Sequence, residues 1–183
     1  MYPPSVYPSP IPAQSITNPV GQHIANVAKQ FWNHSSRHGP DEGNLACASE
    51  VNEMLQQAIG KTYGDDPTTV NSVRDDLLRQ GGQIIPPGLA QPGDIAMTYN
   101  KASLQNIGGA TAHMGMVIAP NTILANSSAT RRVNQLFDFW AFSKLYPYFE
   151  IIRTPEALQN TPPSTANPFM SYSAPKTQLS TWA

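Results

Sequence analysis

The chain has 183 residues, 40% of them hydrophobic, with 18 prolines, one cysteine and a formal net charge of -1; that is enough apolar content to close one core, with no demand for a second domain. A charged fraction of only 13%, with Arg131-Arg132 as the sole adjacent basic pair, excludes nucleic acid and anionic membrane surfaces as the main partner. A lone cysteine excludes an intramolecular disulfide framework, and no apolar run approaches the length of a membrane span. Met1-Tyr2-Pro3-Pro4-Ser5 has neither the basic start nor the apolar stretch of a Sec signal peptide. The expectation is a protein that acts where it is made, or is delivered by a secretion system, a phage particle or lysis.

Residues 1-18 carry Pro3, Pro4, Pro8, Pro10 and Pro12 among Ser and Tyr, a composition that favours an extended, polyproline-like arm. Asn18-Pro19 then reads as an N-cap with proline in the first helical position, and Ile24, Val27, Ala28 and Phe31 form an apolar stripe to about Trp32. The polar run from Asn33 to Glu42, broken by Gly39-Pro40, predicts a loop. Asn44 is the expected cap of a second helix, in which Cys47, Val51, Met54, Leu55 and Ala58 recur at helical spacing until Gly60. A third helix, capped by Thr68 or Thr69, carries Val70, Val73 and Leu77 and stops at Gly81-Gly82.

From Gln83 the period shifts to that of strands. Gln83-Ile84-Ile85 is a short strand, and the turn Gln91-Pro92-Gly93-Asp94 feeds a second one over Ile95 to Tyr99. A polar connection fills 100-109. Thr111 to Ala119 reads as a central strand that turns at Pro120-Asn121 into Thr122 to Ser127, its antiparallel neighbour. Phe137, Phe139, Trp140, Phe142, Leu145, Tyr146 and Tyr148 supply large apolar bodies, and Phe149 to Arg153 is a last strand. The organisation expected is therefore an arm over 1-18, one domain over 19-153 and a Pro/Ser/Thr-rich tail over 154-183. The fold class is α+β, N-terminal helices on a mostly antiparallel sheet of about five strands.

Cys47 falls in the first turn of its helix, where unpaired N–H groups and the helix dipole favour a thiolate and lower a pKa that is about 8.5 in free cysteine. On an apolar helix face a lone cysteine is otherwise a small hydrophobe. His113 opens the Ala112 to Ile118 strand, and Asn126 sits on the strand after it, where a hairpin brings it alongside the histidine. A helix-start cysteine, a histidine on a separate strand and a polar residue to orient that histidine are the three parts of a cysteine hydrolase. His34 and His38 stand four apart, but Gly39-Pro40 follows at once and there is no HExxH pattern or second cysteine; they read as solvated loop residues, with no metal expected. The methionines Met54, Met97, Met114 and Met116 read as core filler. Serine-hydrolase, Walker and dinucleotide motifs are absent, and no cofactor is expected.

The order of helical Cys, Pro-Gly-Asp turn and His-X-Gly strand resembles the NlpC/P60 and CHAP cysteine peptidases and amidases, papain-like enzymes that cut peptide or amide bonds in bacterial cell walls. Gln91-Pro92-Gly93-Asp94-Ile95 is similar to that family's Pro-Gly-Asp-hydrophobic turn, and His113-Met114-Gly115-Met116-Val117-Ile118 to its His-Val-Gly-Ile-Tyr-Ile strand. The likeness spans roughly 43-153. Around the nucleophile, Leu45-Ala46-Cys47-Ala48-Ser49 is closer to CHAP-like and phage-encoded variants than to Asp-Cys-Ser-Gly. The resemblance implies a papain-like fold, nucleophile Cys47, base His113, orienting residue Asn126, a structural Asp94 and a peptidoglycan peptide or other amide as substrate. The Cys47 N–H is one oxyanion donor, worth on the order of 3 kcal/mol; the second is unassigned. Two other readings stand beside it: a delivered effector using the same Cys-His site as a protein deamidase or acyltransferase, and a non-catalytic binding or virion structural module, with the Pro-rich ends as docking segments.

Overall fold

Local chemistry at Asn18 starts the first element as its residue type predicts: its Oδ1 accepts from the Gly21 N–H at 2.9 Å, with proline next in the chain. The structure, a computed structural model, describes residues 18-105 and 111-159. The Pro-rich arm before Asn18, residues 160-183 of the tail and 106-110 of the polar connection lie outside the described residues. Three longer helices come first, α1 (Pro19–Gln30), α2 (Cys47–Ile59) and α3 (Val70–Arg79). The strands are β1 (Gln83–Ile84), β2 (Ile95–Tyr99), β3 (Ala112–Ala119), β4 (Thr122–Ser127), β5 (Arg132–Phe137) and β6 (Tyr148–Arg153). Short helices α4 (Lys101–Gln105), α5 (Phe139–Ser143) and α6 (Pro155–Gln159) complete the described chain.

The architecture is α+β with an open sheet in the order β1-β6-β2-β3-β4-β5, every pair antiparallel. Six strands form rather than about five, because 132-137 pairs with β4. Alternation along the strands sorts their side chains onto two faces. Met97, Met114, Met116, Leu124 and Ile152 join Ile24, Val51, Leu55 and Val73 in a core under the three helices. Ala96, Val117, Ile123, Ala125 and Ile151 face the other way, onto Phe142 of α5. Both faces are covered, so all five residues of β2 are buried.

Two contacts fix the helices to this sheet. The Pro92-Gly93 turn presses backbone to backbone on α1: a Cβ on Gly93, whose φ is +91°, would sit 2.2 Å from the Gly21 oxygen, and one on Gly21 would sit 2.6 Å from the Pro92 oxygen. Only glycine meets both the left-handed φ and the clearance at Gly93. Asp94, 1% exposed, accepts from Arg153 Nε at 2.8 Å and Nη2 at 2.9 Å and from the Gln91 N–H at 2.7 Å. That bidentate pair joins the turn to β6. Among the described residues no helix is long and apolar enough to cross a membrane.

Candidate functional site

Cys47 is the first residue of α2, but Asn44 does not cap it. The cap position falls to Ala46, which makes no side-chain bond, while Asn44 ends a 3-10 turn over Pro40–Gly43 and donates from Nδ2 to Asp41 Oδ2 at 3.1 Å. The tight turn, with Asp41 and Glu42 both at φ 51°, moves the helix start two residues past the expected cap. What anchors the start is β4: Asn126 Nδ2 donates to the Gly43 oxygen at 2.9 Å and Ser128 Oγ to the Asn44 oxygen at 2.7 Å.

The Cys47 side chain is half-buried against the core beneath the helices. Burial pushes its thiol above the ordinary value, while the main chain of Met114, Ala48 and Cys47 itself acts in the opposite direction. Only donors favour a thiolate, so these are N–H groups. The sequence predicts a lowered thiol pKa from the helix start; the shift is upward because desolvation outweighs those donors.

His113 follows the alternation of β3 and lies on the face opposite Met114. Its ring packs 5.5 Å from that of Phe142 and 6.2 Å from that of Phe137, edge-on to the latter. Burial alone lowers its pKa to about 4, leaving a neutral imidazole. Among the described residues no hydrogen bond joins this ring to Cys47 or Asn126. The β3–β4 register pairs Gly115 with Ala125; continuing it sets Asn126 opposite Met114, one position from the histidine, and on the helical face. The hairpin therefore forms as expected, but the side chains of His113 and Asn126 leave it in opposite directions.

The two residues nevertheless line one open cleft of about 260 Å³ with Ser127, Gln135, Phe137 and Tyr146. Cys47 is not among the lining residues. The last β3–β4 partners at this end are Gly115 and Ala125, and the next residue of β3, Met114, meets the Cys47 thiol through its main chain. Asn126 Oδ1 is buried there without a hydrogen-bond partner, which for a polar atom costs about 1–3 kcal/mol. Its amide orientation follows from Nδ2 facing a carbonyl oxygen.

A second polar cluster, one turn along α2, escapes the sequence reading. Ligand-type atoms of His34, His38, Glu50 and Glu53 lie within 4.8 Å of one another. His38 Nε2 is 2.6 Å from Glu53 Oε1 and 3.5 Å from Glu50 Oε1, and the bond to Glu53 holds the imidazolium above its ordinary 6.5. Glu50 is 1% exposed, and both its oxygens lack hydrogen-bond partners; burial raises its pKa to about 7. The two histidines are exposed as expected, yet they are not solvated in isolation. Their spacing is visible in the sequence, but the carboxylates they meet are not, because a glutamate at helical position 50 gives no sign of being buried.

No protein-family model matches the chain, and no curated protein matches it.

Proposed function

We propose that the chain is a cysteine-nucleophile hydrolase of papain-like, NlpC/P60 or CHAP type that cuts amide bonds, with the peptide portion of peptidoglycan as substrate. The observation that carries this reading is the end of the β3–β4 ladder at Gly115 and Ala125, next to which the Cys47 thiol meets the main chain of Met114, the buried Asn126 Oδ1 has no hydrogen-bond partner, and His113 and Asn126 line one cleft. Residues 112-114 are laddered to β2 alone, so the reactive arrangement needs a twist there and rotation of His113 off Phe142. Asn126 Oδ1 then accepts from one imidazole nitrogen while the other takes the Cys47 proton. The thiolate attacks the amide carbonyl, the Cys47 N–H holds the oxyanion, the imidazolium protonates the leaving amine, and water activated by His113 frees the thioester.

Magnitudes bear on the timing. With His113 near pKa 4 and burial pushing the thiol above its ordinary value, proton transfer in the resting arrangement is strongly uphill. The ion pair is therefore made on substrate binding rather than stored. The same chemistry with a protein acceptor is deamidation or acyl transfer, read as a mass change on that protein.

One second reading has an observation of its own. A raised thiol and a histidine seated on Phe142 and Phe137 also fit a non-catalytic binding module that keeps the fold. Digestion of purified peptidoglycan separates the two. The hydrolase releases new peptide termini, seen by mass spectrometry, and Cys47→Ser lowers the rate by roughly 10⁴-fold or more. An unchanged digest with Cys47 intact and alkylatable rejects this substrate and favours the binding module.

A further inference from the structure

We propose that His34, His38, Glu50 and Glu53 form a closed binding site for a divalent transition-metal ion of the zinc class, which clamps the loop after α1 onto the first turns of α2. This does not rest on Cys47 being a nucleophile. The decisive observation is Glu50: a carboxylate 1% exposed, with both oxygens unpartnered, inside a cluster whose other three groups approach from the loop and from the next turn of the helix. The His38–Glu53 contact at 2.6 Å occupies His38 Nε2, with Glu50 Oε1 left at 3.5 Å. Once metal binding has displaced the protons that His38 and Glu50 carry, the two carboxylates bring two negative charges and the two imidazoles add nitrogen donors. A divalent ion balances the charge and supplies the partner that Glu50 lacks.

The scaffold is built before any ion arrives. The Asn33 N–H donates to the Val133 oxygen at 2.8 Å, the Val133 N–H to the His34 oxygen at 3.0 Å and the Ser36 N–H to the Arg131 oxygen at 3.0 Å, so the loop is laddered to β5. At its far end a Cβ on Gly39 would lie 2.8 Å from that of Ala46, which shows how closely the loop sits on the start of α2. Tetrahedral zinc holds its donors roughly 3.4 Å apart. Four atoms within 4.8 Å need up to about 1.4 Å of contraction, which rotation of the exposed His34 and His38 rings and the half-buried Glu53 supplies. Imidazole with carboxylate selects zinc-class ions over calcium and magnesium, which prefer oxygen throughout. Four protein donors leave no open position, so the role is structural.

The test uses the full chain, stripped with chelator and titrated with Zn²⁺ by calorimetry, with bound metal counted by elemental analysis and Co²⁺ substitution followed in the visible spectrum. The expected results are one ion per chain, a higher Tm with metal and Co²⁺ bands of tetrahedral intensity. Glu50→Gln and His34→Ala each weaken binding by more than about 100-fold, beyond the loss typical of outer partners, while His23→Ala leaves it unchanged. Absence of stoichiometric binding by the wild type, Ca²⁺ or Mg²⁺ binding in place of Zn²⁺, or unaltered binding in both cluster variants would overturn the proposal. Glu50→Gln is isosteric and His34 is exposed, so failure of one variant to fold leaves the other to decide.

Discussion

On the helical face of the sheet, polar groups are tied down: Asn126 and Ser128 hold the residues before Cys47 through hydrogen bonds to the Gly43 and Asn44 oxygens. On the opposite face His113 rests between Phe137 and Phe142, with no hydrogen bond to a described residue, its charge suppressed by burial. The difference teaches where rigidity and motion reside. The start of the Cys47 helix is fixed by hydrogen bonds to main-chain oxygens, whereas His113 is held by aromatic contacts worth about 0.5–1.5 kcal/mol each beyond the area they bury.

The largest expected effect lies at the turn before β2, where Asp94 holds Arg153 of β6. Asp94→Ala leaves the Arg153 guanidinium buried and uncompensated, with an expected loss of about 3–5 kcal/mol in urea denaturation; a loss below about 1 kcal/mol would mean the pair does not lock the turn to β6. The seat of His113 is sharpened by pH. His113 has a pKa near 4 in the fold against an ordinary 6.5, so between those values the unfolded chain binds more protons. Its contribution is complete above pH 6.5 and is lost as pH falls toward 4, by on the order of 3 kcal/mol. His113→Leu should flatten that limb of the stability profile, and an unchanged slope would move the burden to another group. The smallest effect lies at the start of α1, where Asn18→Ala should cost about 1 kcal/mol of thermal stability through the lost cap bond, with no change at either face of the site.

The elements whose signals are local were legible in the sequence. Asn18-Pro19 carries its own cap, Pro92-Gly93-Asp94 its own turn, and the stripes of α1 and α3 their own period. The β5 strand was not, because only Val133 and not its neighbours in 132-137 is fully buried; this edge strand is made by its ladder to β4 rather than by an alternating pattern. The short helix α5 likewise read only as aromatic bulk, although Asp138 caps it by accepting from the Ala141 N–H at 2.6 Å. At the candidate site, Cys47, His113 and Asn126 were chosen by type and order, and the structure brings Cys47 and Asn126 toward one face. The side taken by His113 could not be read: period two says that His113 and Met114 part company, but which of them meets the helices depends on where α2 packs. Glu50 was hidden for the same reason, since burial is a property of the assembled helix and loop.

The claim at the centre of this account is that Cys47 becomes acylated when His113 leaves its aromatic seat. It is tested most directly by quenching the full chain during reaction with purified muropeptides and measuring its intact mass and peptide map. The account predicts an acyl adduct on Cys47 in the wild type, which disappears in His113→Ala and falls in Asn126→Ala. A wild-type protein with free, intact Cys47 and neither adduct nor turnover, or an adduct that forms equally well without His113, would contradict it.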